Sequence, residues 1–150
     1  MGEEVLPQQH QWIVGIDAIP AAWAKLTNLK SLELRGHQLL DSVPTWMSEL
    51  KSLRKLDISC NSAINIASVT VLTQLDTLVL QRLDLSQSPS LPNEQISPHA
   101  KRLLPDLTPL AKNLKHLSLS NNRFTRLPEL LSKMTCLETL DFGGVLGFRV

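Results

Sequence analysis

The chain has 150 residues, 43% of them hydrophobic, and a formal net charge of +1. That length suits one domain with a sizeable core. A charge so near zero supplies no basic field to hold a phosphate backbone, so nucleic acid is not an expected partner. No run of about 18 apolar residues occurs, so no membrane-spanning helix and no membrane partner are expected.

Leucine supplies 30 residues, whereas Phe and Trp together supply six and Tyr none. A core that depends on one aliphatic residue suggests stacked, similar layers. The start, Met1-Gly2-Glu3-Glu4, is acidic and is not a secretory signal. Residues 1–15 fit no full repeat and read as an N-terminal cap or degenerate repeat closed by Trp12, Ile13 and Ile16. From residue 16 to 150 the chain reads as a solenoid of about five units, the last incomplete.

The unit is visible in its spacing. Leu29-Leu32-Leu34, Leu53-Leu56-Ile58, Leu75-Leu78-Leu80, Leu114-Leu117-Leu119 and Leu137-Leu140-Phe142 share L-x-x-L-x-L or a close variant. In L-x-L the two apolar residues alternate with an outward one, the period of a strand. Ile19-Pro20, Val43-Pro44, Leu104-Pro105 and Leu127-Pro128 each place an apolar residue ten positions before a unit start. Proline there is expected to open a short return helix or turn, where a missing N–H costs nothing. The return Ile64–Leu72 has no proline and is shorter. One unit alone cannot bury its leucines; stacking buries them and pairs the strands into a parallel sheet.

The stretch from Leu114 to Pro128, L-K-H-L-S-L-S-N-N-R-F-T-R-L-P, resembles the leucine-rich-repeat family, and the L-P-x-x-L return resembles its intracellular Ras-group type. The resemblance covers residues 16–142. It implies an α/β solenoid, with a curved parallel sheet on the concave side and short helices or turns on the convex side. It also implies an inward asparagine that bonds the backbone of adjacent coils. Asn61 and Asn122 match that position, and His37, Leu83 and Val145 replace it. Histidine can still donate one hydrogen bond. Leucine and valine cannot, so coils there should be less regular.

Two irregularities stand out. The spacing from Leu75 to Leu114 exceeds its neighbours by an insertion at 86–102, S-Q-S-P-S-L-P-N-E-Q-I-S-P-H-A-K-R. Its serines and prolines predict an extended, mobile loop, either a tolerated surface insertion or a binding element. At the other end, Val145, Leu146 and Phe148 should lie near an open edge without a polar cap. The favoured reading of this end is that the chain is part of something longer, and a recognition segment of a larger multidomain protein, such as a kinase, ligase or receptor, is the alternative to the scaffold role given below. A tail that folds back and self-association through the uncapped C-terminal end are the other readings of this end.

The residues between the core leucines should form three stripes on the concave face. The first is Ser31, Lys55, Thr77, His116 and Thr139; the second Glu33, Asp57, Val79, Ser118 and Asp141; the third Arg35, Ser59, Gln81, Ser120 and Gly143. From these, Glu33, Arg35, Lys55, Asp57, Gln81, His116 and Ser118 are the candidate partner-binding residues. Glu33 and Asp57 should be like-charged neighbours offset by Arg35 and Lys55. Either this face binds another protein or it is a solvated sheet face.

No catalytic, cofactor-binding or metal site is expected. Phosphate-loop, dinucleotide and nucleophile-elbow motifs are absent. Glu33 and Asp57 would sit on an open sheet with nothing to exclude water. His10, His37, His99 and His116 never pair at H-x-x-x-H spacing. Cys60 and Cys136 read as packing residues, and Trp23 and Trp46 as covers for the core. With no disulfide framework, a cytoplasmic location is expected. The expected role is a scaffold or adaptor that binds a partner protein, with no enzymatic activity.

Overall fold

A computed structural model describes residues 15–61, 63–86, 102–124 and 126–144. Trp12, Ile13, His10, His99, Val145, Leu146, Phe148 and the body of the insertion lie outside the described residues.

Among the described residues there are seven short strands: β1 (Ser31–Glu33), β2 (Lys55–Asp57), β3 (Thr77–Val79), β4 (Leu85–Ser86), β5 (Arg102–Leu103), β6 (His116–Ser118) and β7 (Thr139–Asp141). Five form one parallel sheet in the order β1-β2-β3-β6-β7. The register aligns Leu32, Leu56, Leu78, Leu117 and Leu140, so the L-x-L spacing sets the pairing. A one-residue slip would turn every one of these leucines to solvent, which is why the register is sharply specified.

The core is one continuous apolar stack. Leu53, Leu56, Ile58, Leu75, Leu78, Leu80, Leu114 and Leu119 are fully buried. Each such side chain contributes about 1.5–3 kcal/mol relative to exposure. Trp23 and Trp46 are half-buried and pack on this core, as expected of covers.

The return segments are 3-10 turns rather than α-helices: Ala21–Lys25, Thr45–Glu49, Ala67–Val71, Thr108–Leu110 and Glu129–Lys133. Three to five residues hold few i→i+4 bonds, and the tighter form closes a corner in less chain. Pro20, Pro44 and Pro128 stand just before their turns, with extended backbone. Their carbonyls accept the first turn bonds, from Trp23, Met47 and Leu131. Proline thus caps these turns instead of filling their first position. Pro105 does not open its turn, which begins at Thr108 and carries Pro109 in its first residues. Asp106 sets that start by accepting bonds from the Thr108 backbone and hydroxyl.

The insertion begins and ends in structure. β4 and β5 pair in parallel, Leu85 with Arg102. Parallel neighbours need a connection of roughly a dozen residues or more, and residues 87–101 are the stretch of sequence between them.

A left-handed corner follows each strand of the main sheet. Gly36, Cys60, Arg82, Asn121 and Gly144 all have positive φ, between 52° and 73°. The described residues that follow them are His37, Asn61, Leu83 and Asn122. The unit at Leu83 carries an additional left-handed residue, Asp84, in keeping with a less regular coil there. Cys60 and Cys136 are exposed free thiols, which corrects the expectation that they pack.

Candidate concave binding face

The asparagines hold the coils that present this face. Asn61 Nδ2 donates to the carbonyls of Leu34 and Ile58 at 2.6 Å each, and its Oδ1 accepts from His37 N–H at 2.7 Å. Asn122 repeats this with Leu80 and Leu119, and accepts from Leu83 and Leu85. His37 takes half of the same role. Its Nδ1 accepts from Ile16 N–H at 3.3 Å, so the ring serves here as an acceptor instead of the donor expected.

The parallel register brings the three stripes together as laid out, and gathers the candidate residues into two networks. In the first, Lys55 Nζ meets Glu33 Oε1 at 2.6 Å, and Arg35 Nη2 reaches Glu33 Oε2 at 3.3 Å. Arg35 Nε and Nη2 both lie 2.6 Å from Asp57 Oδ2. The other Asp57 oxygen accepts from Ser59 N–H at 3.0 Å and Ser59 Oγ at 2.6 Å. Asp57 is only 1% exposed. It lies beneath Arg35 and fixes it, and Arg35 is the part of the pair that solvent meets.

The like charges are therefore offset, and the offset shows in the ionisation of Glu33. Lys55, by hydrogen bond and then by charge, holds the Glu33 carboxyl below its ordinary range, with Arg35 adding to this. The Asp57 hydrogen bond raises Arg35 further. A carboxylate held ionised is a poor general acid.

The second network lies across β3, β6 and β7. Gln81 Nε2 donates to Ser118 Oγ at 2.8 Å, and Ser118 Oγ donates to Asp141 Oδ2 at 2.8 Å. Asp141 Oδ1 accepts from Gly143 N–H at 3.1 Å. That backbone bond and Ser118 lower the Asp141 pKa. His116 Nδ1 lies 2.8 Å from Thr139 Oγ1. Between the two networks stand Thr77 and Val79, both half-buried.

Asp141 and Ser59 were legible only as stripe members. Their roles rest on an aspartate at the strand end that bonds a backbone N–H two residues on, a pattern shared by Asp57-Ser59 and Asp141-Gly143. Among the described residues, no group of three or more His, Cys, Asp and Glu side chains is placed to hold a metal.

The family model "Leucine Rich repeats (2 copies)" matches residues 112–146. The chain is 34% identical over 118 residues to "Probable serine/threonine-protein kinase pats1" of Dictyostelium discoideum, across 77% of this chain and 3% of that protein. It is 30% identical over 125 residues to an adenylate cyclase of Schizosaccharomyces pombe, across 76% of this chain and 7% of that protein. The chain thus spans a small part of both relatives. Among solved structures, internalin C2 of Listeria monocytogenes superposes with a TM-score of 0.53 at 26% identity, over 87% of this chain and 59% of that one. A second internalin from the same organism gives 0.51 at 21%, over 83% and 38%. With the five-unit register and the asparagine bonds, these findings show that the chain folds as a leucine-rich-repeat solenoid, with two repeat copies matched at residues 112–146.

Proposed function

We propose that this chain is a protein-interaction module, a scaffold or adaptor that binds a partner protein through the concave sheet face. The observation that carries this is Arg35, exposed on that face and held in one geometry by buried Asp57 and by Glu33. An arginine ordered before contact loses little freedom on binding, and arginine is enriched at binding hot spots. Gln81, His116 and Ser118 supply a second polar patch on the same sheet. The open sheet and ionised carboxylates favour recognition over catalysis. The L-P-x-x-L returns favour the Ras-group type of repeat, and two free thiols favour a cytoplasmic location.

The test compares partners captured by wild type and by Arg35→Ala/His116→Ala, both shown to fold by circular dichroism. Asp57 is left intact because it supports Arg35 from beneath. A partner held by wild type and lost by the variant supports the reading. Equal capture by both overturns it.

A second reading has a specific observation behind it. Both curated relatives are far longer than this chain, and their names denote a kinase and a cyclase. On this reading the solenoid is the recognition segment of a larger multidomain protein. A native product of the chain's own mass, 16.7 kDa, would refute it. Self-association is also proposed, through the C-terminal layer, where Leu127 is 61% and Leu140 42% exposed.

A further inference from the structure

We infer that the rim where the chain enters the strands is a docking edge for an extended acidic peptide segment of a partner protein. The residue before each strand belongs to a backbone-bonded column. Arg54 N–H donates to Lys30 O, Asp76 to Arg54, Lys115 to Asp76 and Glu138 to Lys115, at 2.7–2.9 Å. Charge along this rim is uneven: the first two coils hold the densest group of cations, and farther along Lys112 and Lys133 stand among Asp76, Lys115 and Glu138. Lys115 and Glu138 neutralise each other at 2.9 Å, and Asp76 stands beside them. In the first two coils, residues 25–30 and 49–54 hold Lys25, Lys30, Lys51 and Arg54 against one carboxylate, Glu49.

Among the described residues, none of these four cations lies in an ion pair. The contrast with the adjoining concave face is sharp, because Lys55, one residue from Arg54, is neutralised by Glu33. Two of the four are held on the rim by carbonyls: Lys51 Nζ by Ser48 O at 2.8 Å, and Arg54 Nη1 by Lys51 O at 2.9 Å and Leu53 O at 3.1 Å. Carbonyls fix the side chains and leave the positive charge uncompensated. Among the described residues, no acceptor is bonded to Arg54 Nε or Nη2. Leu26, 46% exposed between Lys25 and Lys30, adds an apolar seat.

An acidic peptide fits this arrangement better than the other polyanions. Coils repeat about every 5 Å, so the cations form a short line along which an extended chain can place carboxylates one by one. A lipid surface or a nucleic-acid backbone asks for a denser cationic field, and carboxylates interrupt this one. The inference does not rest on the concave-face reading.

The experiment measures fluorescence anisotropy of a labelled peptide of alternating Glu and Leu, titrated with the full chain. Lys30→Glu/Arg54→Glu is the test variant, Lys30→Ala/Lys51→Ala a milder one, and Arg35→Ala a concave-face control. Saturable binding is expected, weakening about tenfold or more in the charge-reversed variant and falling between about 0.05 and 0.3 M salt as screening grows. Arg35→Ala should bind as wild type does, which separates this edge from the concave face. Failure to bind the peptide at low salt would overturn the inference, as would binding unchanged in both rim variants. Tighter binding of phosphatidylserine vesicles or of a single-stranded oligonucleotide would overturn it in favour of those polyanions.

Discussion

At the scale of single residues, this molecule depends on a few side chains that bond backbone. The Asn61 amide serves two carbonyls of its own and the preceding coil and one N–H of the preceding coil, while fully buried. Asn61→Leu would leave those groups buried and unpaired, so a loss of about 2–4 kcal/mol is expected in urea unfolding. At His37 the same place is half-served. His37→Asn should therefore leave stability unchanged or raise it by up to about 1 kcal/mol, where a random half-buried substitution would lower it. A clear loss at His37→Asn would show that the ring is needed for its shape. Charge gives a second residue-level prediction. The Glu33 pKa is lowered by Lys55 and Arg35, so the folded state binds its proton less readily than the unfolded state does. The stabilisation is then fully present above the unfolded value, about 4.3, and disappears as pH falls through the lower folded value. The melting-temperature gap between wild type and Glu33→Gln should exist near neutral pH and close below about pH 4, and it should be small because the pair is exposed. A gap that widens in acid would contradict the assignment.

At the scale of elements, the strands were the most legible part. Their period and register follow from leucines that must all face one side, and five units repeat the same constraint. The turns were legible in place but not in kind, because five residues do not distinguish a 3-10 from an α turn and proline suits the edge of either. The left-handed column at Gly36, Cys60, Arg82, Asn121 and Gly144 was hidden, since those residue types have little in common. The burial of Asp57 was hidden too: alternation assigns it to the open face, where Arg35, just past β1 on the preceding coil, and Ser59 close over its two oxygens. The insertion offers a test. Leu85 and Leu104 correspond to Phe124 and Leu127, which are three residues apart. Deleting residues 87–102 joins Ser86 to Leu103 and restores that spacing. The β4–β5 pair would be lost, while the five-stranded sheet should remain, with a melting temperature within about 5 °C of wild type, because extra loop length costs little. A deletion that collapses the cooperative transition would mean the insertion is part of the core.

At the scale of the whole molecule, a solenoid's stability is a sum over layers and the contacts between neighbours. The aligned strand leucines measure that sum position by position. Leu56 and Leu78 are fully buried, Leu117 is 2% exposed, Leu32 9% and Leu140 42%. Truncation to Ala should cost about 2–5 kcal/mol at the inner layers, those of Leu56, Leu78 and Leu117, where a cavity forms between coils on both sides. Among the described residues Leu140 meets a coil on one side only, and the cost should be nearer 1 kcal/mol by the area still buried. The profile of ΔΔG from urea unfolding should therefore peak at Leu56, Leu78 and Leu117 and fall toward Leu140. The same profile tests self-association. If a second copy covers the last layer in solution, Leu140→Ala becomes as costly as Leu78→Ala, and its cost grows with protein concentration because association stabilises the folded state by mass action. A cost that stays small and independent of concentration would exclude that interface, leaving Leu140 and Leu127 at a free edge of the isolated chain.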